Sequence, residues 1–216
     1  MFSVSLSALR DRVRVQTDTE NAQRPTNAQI NEMLNGSIRS LHAGLADGAS
    51  SLLLSIDTAT LSAGVSGFTL PSTVWQLRGI SVVEDGKRYD LEPFQDLERS
   101  RLLNAGMGGR PRFYRLAGLL TGAPQVELIP ATTAAVEVEF HFIPTPTVLT
   151  YDTDTIACLP GWDAWVTYDT TIQILGAEET DVSVWVGMRD QVWQREIIPA
   201  TRSRDSYRHK KVVRTR

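Results

Sequence analysis

The strongest pattern along the chain is a change in the spacing of its apolar residues. Ile30, Leu34, Ile38, Leu41 and Leu45 recur at three- and four-residue intervals, as one buried helical face requires. Thr26-Asn27-Ala28-Gln29 precedes them with capping-box spacing, and Pro25 stands just outside. Asp47-Gly48 ends the stripe. Leu6, Leu9 and Val13 predict a shorter helix over residues 5–14, followed by a polar stretch, residues 16–25, without a pattern. The helical period returns at Trp162, Trp165, Val166, Ile172 and Leu175, and again at Val182, Trp185, Val186, Val192, Trp193 and Ile197. Two helices are predicted there, joined at residues 177–180, the second capped by Thr180 or Asp181 and stopped by Pro199. Val166, Tyr168, Thr170, Ile172 and Ile174 also alternate as a strand would, so a strand stays open for the first half. Leu34, Ile38, Leu41, Trp165, Val186 and Trp193 are the expected helical core.

Between these segments the period is two. Residues 51–56, 67–70, 74–83, 88–91, 112–120, 126–129 and 136–142 are short runs of β-branched, aliphatic and aromatic residues separated by turn formers. Asp85-Gly86 predicts a tight hairpin, because its turn needs positive φ. The clean alternation over residues 136–142 puts Val136, Val138, Phe140 and Phe142 on a buried face. A short helix is predicted over residues 93–103, then a flexible Gly-rich loop around Gly106 to Gly109, and a stiff connector at Pro144-Thr145-Pro146. The predicted class is α+β: a helical bundle from the N- and C-terminal segments, an inserted antiparallel β-sandwich or barrel, and an extended C-terminal arm. The expected modules are 1–48 with 155–200 (helical), 49–150 (β, with one short helix) and 201–216 (arm).

Charge adds an asymmetry that the net −3 conceals. Residues 202–216 hold seven Lys or Arg and one acid, +6, which leaves 15 basic and 24 acidic residues in the other 201, or −9. Cys158 is the lone cysteine, which excludes an internal disulfide framework and a multi-cysteine zinc site and suits a reduced cytoplasm. Neither a signal-peptide core nor a run of about 18 apolar residues is present, so a soluble, unprocessed chain without membrane contact is expected.

Chemical signatures are thin. His42, His141 and His209 read as surface residues. Gly64-Val65-Ser66-Gly67 has its second glycine one residue early for a nucleophile elbow. The glycines at 106–109 lack the Lys-Ser/Thr of a phosphate loop. Asp152-Thr153-Asp154 starts like a calcium loop, but Ile156 occupies the third ligand position, leaving a turn. Glu178-Glu179 reads as solvated helix-end acids. No catalytic, cofactor-binding or metal-ligating set is expected.

Six segments carry a resemblance: the RxRxxT stretch at Arg12 to Thr17, INEMLNGSIRSLHAGL, LPSTVWQLRGISV, PRFYRLAG, ELIPATTAAVEVEFHFIPTPTVL and GWDAWVTYDTTIQILGAEETD. In their order and spacing the chain resembles the head-to-tail adaptor, or connector, proteins of tailed bacteriophages. That resemblance implies a structural virion protein of the neck, made in the host cytoplasm. It implies a homo-oligomeric ring, commonly dodecameric, beneath the portal protein, extending the DNA channel and docking a tail nozzle or other tail component. Genomic DNA would pass without specific binding, which an acidic body suits. The positions matching the portal-directed arm of such proteins are Arg202, Arg204, Tyr207, Arg208, Lys210, Lys211, Val212, Val213, Arg214 and Arg216. Two other classes stay open. One is a nucleic-acid-binding protein using the basic tail. The other is a carbohydrate-binding module, which needs Trp75, Tyr89, Phe113 or Tyr114 exposed together, whereas alternation predicts a buried Trp75.

Overall fold

The computed structural model describes residues 2–20, 25–47, 52–104, 109–118 and 124–205. In chain order the elements are β1 (Phe2–Ser5), α1 (Leu6–Gln16), α2 (Asn27–Asp47), β2 (Ser55–Leu61), β3 (Gly67–Thr69), β4 (Val74–Glu84), β5 (Lys87–Asp90) and β6 (Glu92–Pro93). A 3₁₀ turn (Asp96–Glu98) leads into α3 (Arg99–Asn104), then β7 (Phe113–Ala117), β8 (Gln125–Ile129), β9 (Val136–Pro144) and β10 (Thr155–Cys158). The chain closes with α4 (Trp162–Ala177), α5 (Ser183–Val192), a π-helical turn (Trp193–Ile197) and α6 (Ile198–Asp205). The result is a mixed α+β protein that divides into two compact units, Met1–Leu52 with Pro146–Arg216, and Leu53–Thr145.

In the first unit α2 forms as its pattern predicts. Thr26 Oγ1 accepts from the Gln29 amide at 3.3 Å and the Gln29 side chain accepts from the Thr26 amide at 2.9 Å, closing the capping box. Ile30, Leu34, Ile38, Leu41 and Leu45 are buried. Helix α4 packs on α1, α2 and α5, and α1 also packs on α2. The strand alternative for residues 166–174 is overturned. The threonines that favoured it are satisfied inside the helix, Thr167 donating to the Ala164 carbonyl and Thr170 to that of Val166.

The tryptophans divide differently from expectation. Trp162 is fully buried, whereas Trp165, Val186 and Trp193 are only half-buried, and α5 contributes no buried residue. Trp193 instead lies on Gly44, where even a Cβ would stand 3.0 Å from its ring. The cap of α5 is Val182; Asp181 serves from one residue earlier, accepting from the Ser183 amide. Nor does Pro199 stop the helix. It falls in the first turn of α6, just after the π turn has shifted the hydrogen-bond register, where a missing amide proton costs little. The sequence pattern also missed β1 and β10, which pair antiparallel with Phe2 opposite Cys158 and Ser5 opposite Thr155. Of the polar stretch after α1, Thr17 and Thr19 are buried at the core edge, and residues 21–24 lie outside the described residues.

The second unit is two four-stranded sheets, ordered β2-β9-β4-β5 and β3-β8-β7-β6. All pairings are antiparallel except β6 with β7. Val136, Val138, Phe140 and Phe142 of β9 join Ile80 and Val82 of β4 in one core with Val126 and Leu128 of β8. Both sheets therefore bury their inward rows against each other. Asp85 and Gly86 hold φ of 51° and 71°, the positive values the tight turn demands. Gly67 is required for a different reason: an added Cβ would meet the Val126 carbonyl oxygen at 2.3 Å. The predicted helix over 93–103 is shorter than expected, since Pro93 pairs as a strand with Tyr114 and the turn begins at Asp96.

Candidate functional site

The RxRxxT segment lies on α1, and every polar group in it is engaged within the first unit. Arg10, just upstream, donates to Asp152 at 2.9 Å, and Arg12 donates to Asp163 at the start of α4 at 2.6 Å. Arg14 spreads its guanidinium over the Thr19 carbonyl (2.8 Å), the Pro25 carbonyl (3.1 Å) and Asn27 Oδ1 (2.7 Å), tying the loop to the first residue of α2. Thr17 Oγ1 donates to the Val13 carbonyl at 2.9 Å. The hydrogen bond from Arg10 holds the Asp152 carboxyl below the usual carboxylate range, and that same bond raises the Arg10 guanidinium. What reads as a cationic motif is a set of internal staples.

A second polar array runs along α4. Asp169 accepts from Ser37 of α2 at 2.8 Å, from Gln173 at 3.1 Å and from Arg189 of α5 at 3.0 Å. Burial disfavours the charged Arg189, but its bonds to Asp169 and Asp190 outweigh that and raise its pKa. On the other flank, Thr171 donates to Gln16 of α1 at 2.7 Å. Asn35 hydrogen-bonds both backbone groups of buried Leu149, each at 2.9 Å. Asn35 and Ser37, polar residues inside an apolar helical stripe, were the sequence signal for this array.

On the second unit, Glu127 lies between Arg99 (2.8 Å) and Arg115 (2.6 Å), with Asp96 also against Arg115. Desolvation pushes the Glu127 carboxyl up, yet the two arginines hold it below the usual range. Glu139 of β9 pairs with Arg88, and His141 Nε2 stands 2.8 Å from its other carboxylate oxygen. An open cavity of about 660 Å³ is lined by Arg88, Tyr89, Asp90, Arg110 and Arg112. Arg110 stacks 3.3 Å from the Tyr89 ring centre.

The residues named from sequence are placed as follows. Trp75 is exposed, against expectation, because it stands at an irregularity of the β4–β9 ladder. Phe113 and Tyr114 pack on two separate apolar clusters and Tyr89 is covered by Arg110, so the four aromatics form no common platform. Asp154 closes the 152–154 turn, its side chain accepting from the Thr150 and Tyr151 amides, which lowers its pKa. Among the described residues no group of three or more His, Cys, Asp or Glu is arranged to hold a metal ion. Gly109 is described, whereas residues 105–108 lie outside the described residues. Of the arm residues, Arg202 and Arg204 belong to α6; Tyr207, Arg208, Lys210, Lys211, Val212, Val213, Arg214 and Arg216 lie outside the described residues, as does His209.

A protein-family model described as SU10 adaptor protein matches residues 4–173. The chain belongs to the SU10 adaptor protein family. The match spans the whole second unit and, in the first, runs from β1 into α4. No curated protein matches the chain significantly. Membership makes the protein a structural adaptor of a tailed phage, in agreement with the resemblance read from its segments. In the adaptor, α5, α6 and the basic tail follow the matched region.

Proposed function

We propose that the adaptor forms a homo-oligomeric, dodecameric ring in the virion neck, beneath the portal. The ring extends the genome channel and offers the tail its docking surface. The observation that carries this reading is the family match over residues 4–173, which covers the whole second unit and the first unit from β1 into α4. A structural part suits a chain whose conspicuous polar groups, the α1 arginines and Asp169, are consumed in internal bonds. A body of net −9 suits a wall past which DNA moves without being held. The helical unit serves as a bundle that frames the ring. Residues 202–216, with Arg202, Arg204, Tyr207, Arg208, Lys210, Lys211, Val212, Val213, Arg214 and Arg216, act as the portal-docking arm, their cations drawn to an acidic rim.

The test is particle mass and symmetry, by native mass spectrometry and electron microscopy, with and without the portal protein. A closed ring with an acidic or neutral lumen is expected. A two-fold dimer, or a lumen dominated by Lys and Arg, overturns the reading. Deleting residues 202–216 is expected to weaken portal attachment, most of all at low salt. If attachment is undiminished at low and physiological salt, the arm assignment fails, and if only nucleic-acid binding is lost, the tail is a DNA-binding element.

A further inference from the structure

The two sheets of the second unit end in four edge strands, and three of these are blunted. β3 has three residues and begins at Gly67, β6 has two and ends at Pro93, and β5 has four, of which Lys87, Arg88 and Asp90 are charged. β2 is different. It runs for seven residues without Lys, Arg, Pro or Gly, and its ladder to β9 keeps one register over all seven pairs. Among the described residues it pairs with β9 alone. The Thr58 amide donates to the Asp57 carboxylate at 2.8 Å, and alternate residues of a strand share a direction, so the amides of Ile56, Thr58 and Thr60 point away from β9. Ile56, 55% exposed, and Asp57, Thr58 and Thr60 are all open to solvent. A long, straight edge in this state is a template for one more strand.

Charge and spacing name that strand. Asp57 is the only charge on β2, so two copies of β2 side by side would bring two carboxylates to one seam. On the face that Thr58 and Thr60 share, β9 presents Glu137, exposed and without an ion pair among the described residues, and Glu139, which holds Arg88. A further cation, Arg78, stands at the β4 irregularity beside His141 and Phe142. The chain after α6, residues 206–216, reads SYRHKKVVRTR and contains no acid; it lies outside the described residues. Laid antiparallel with Lys211 opposite Asp57, residues 207–213 match β2 one for one. Tyr207 then falls opposite buried Leu61, and Val212 opposite Ile56, at the end where Arg78 stands. Arg208 and Lys210 fall opposite Thr60 and Thr58, whose short side chains leave Glu137 and Glu139 open to them across two strand spacings, about 10 Å.

We propose that residues 207–213 of one copy add to β2 of another as an antiparallel fifth strand, in that register. A second copy is the source because α6 belongs to the first compact unit and β2 to the second, and only Ser206 separates α6 from Tyr207. The segment thus continues from α6 without a linker that could carry it from one unit to the other. A tail on one copy and an edge on the next form a heterologous contact, which the ring reading accommodates and does not require. The same residues are the portal-directed arm proposed above, and β2 is their seat when no portal is present.

The experiment uses the full-length chain without portal protein. Hydrogen exchange is expected to find the Ile56 and Thr60 amides protected, and Val212→Pro, which removes a ladder donor from the tail, is expected to lose that protection at an unchanged melting temperature. With C158S in both chains, an isotope-labelled D57C copy mixed with a K211C copy is expected to form a mixed disulfide under oxidation, because directly opposed residues bring their Cβ atoms close. D57C mixed with V212C, one residue out of register, is expected to form little. Equal exchange in the wild type and V212P overturns the proposal, as does a D57C–V212C yield that matches the D57C–K211C yield. Protection that V212P removes, with no mixed disulfide, puts the strand on its own copy, and the contact between copies falls. Because no portal protein is present, these outcomes stand apart from the portal-attachment assay above.

Discussion

The two compact units are held together by different means. In Leu53–Thr145 the inward rows of two sheets share one continuous apolar cluster, and its polar pairs, such as Arg99–Glu127–Arg115, decorate the outside. In the helical unit, hydrogen-bonded polar groups run through the packing itself. Asn35 clasps the Leu149 backbone, Ser37 and Asp169 join α2 to α4, and Arg12 and Arg14 pin α1 to α4 and to the start of α2. An apolar core resists by area and is tolerant of exchange at constant volume. A polar clasp contributes less net stability but specifies which helix meets which, because a wrong partner leaves buried groups unpaired.

That contrast is open to direct tests. The largest effect is expected in the sheets: Phe140→Ala, at a site only 2% exposed, removes a ring that touches both Phe68 and Phe142 and should cost about 3–5 kcal/mol. Chemical denaturation gives the loss, and hydrogen exchange should place it in β4, β8 and β9. In the helical unit, Asn35→Ala strands the buried amide and carbonyl of Leu149 and should cost about 2–3 kcal/mol, with faster exchange at that amide. Arg14→Lys keeps the charge but loses the fork that reaches three acceptors, and a loss of about 1–2 kcal/mol is expected in the same assay. If the arginine substitution costs as much as Phe140→Ala, the division of labour between the units is wrong.

The smallest effect concerns acid. Glu127 and Asp154 have folded-state pKa values below their unfolded ones, Glu127 through its two arginines and Asp154 through two backbone amides. Their contribution is therefore complete above the unfolded carboxylate range, near pH 4, and is lost as pH falls through the lower folded values. Glu127→Gln is expected to lower the neutral plateau slightly while leaving stability at the acid end nearly unchanged, so that the acid limb of the curve flattens. An unchanged acid limb would show that the arginine pair does not couple to folding.

Local chemistry was the legible part of the sequence. The capping box at Thr26 and Gln29, the positive-φ turn at Asp85-Gly86 and the β9 alternation are each decided by residues a few positions apart, and each forms as read. The pairing of β1 with β10 was illegible because each strand has four residues and its partner lies 150 or more positions away. The half-burial of Trp165 and Trp193 was hidden for a related reason. Helical spacing puts both on one face, but only tertiary packing decides how much of a large ring is covered. The α1 arginines were read as a family signature, and their role required Asp152 and Asp163 to arrive from far along the chain. For the arm, the sequence supplies charge alone, since residues 206–216 lie outside the described residues.

The π turn at Trp193–Ile197 has one more consequence, which concerns phase. Such a turn takes up about one residue more than the α turn it replaces, so everything beyond it is rotated by roughly 100° relative to an unbroken helix. The repeat that runs along α5 is therefore out of step with α6, and the polypeptide leaves α6 in a direction that the count of residues between Trp193 and Ile197 sets. Removing a single residue there would leave α5 and its packing on α4 in place while re-aiming α6. One codon then acts as an angular adjustment between the α5 segment and α6.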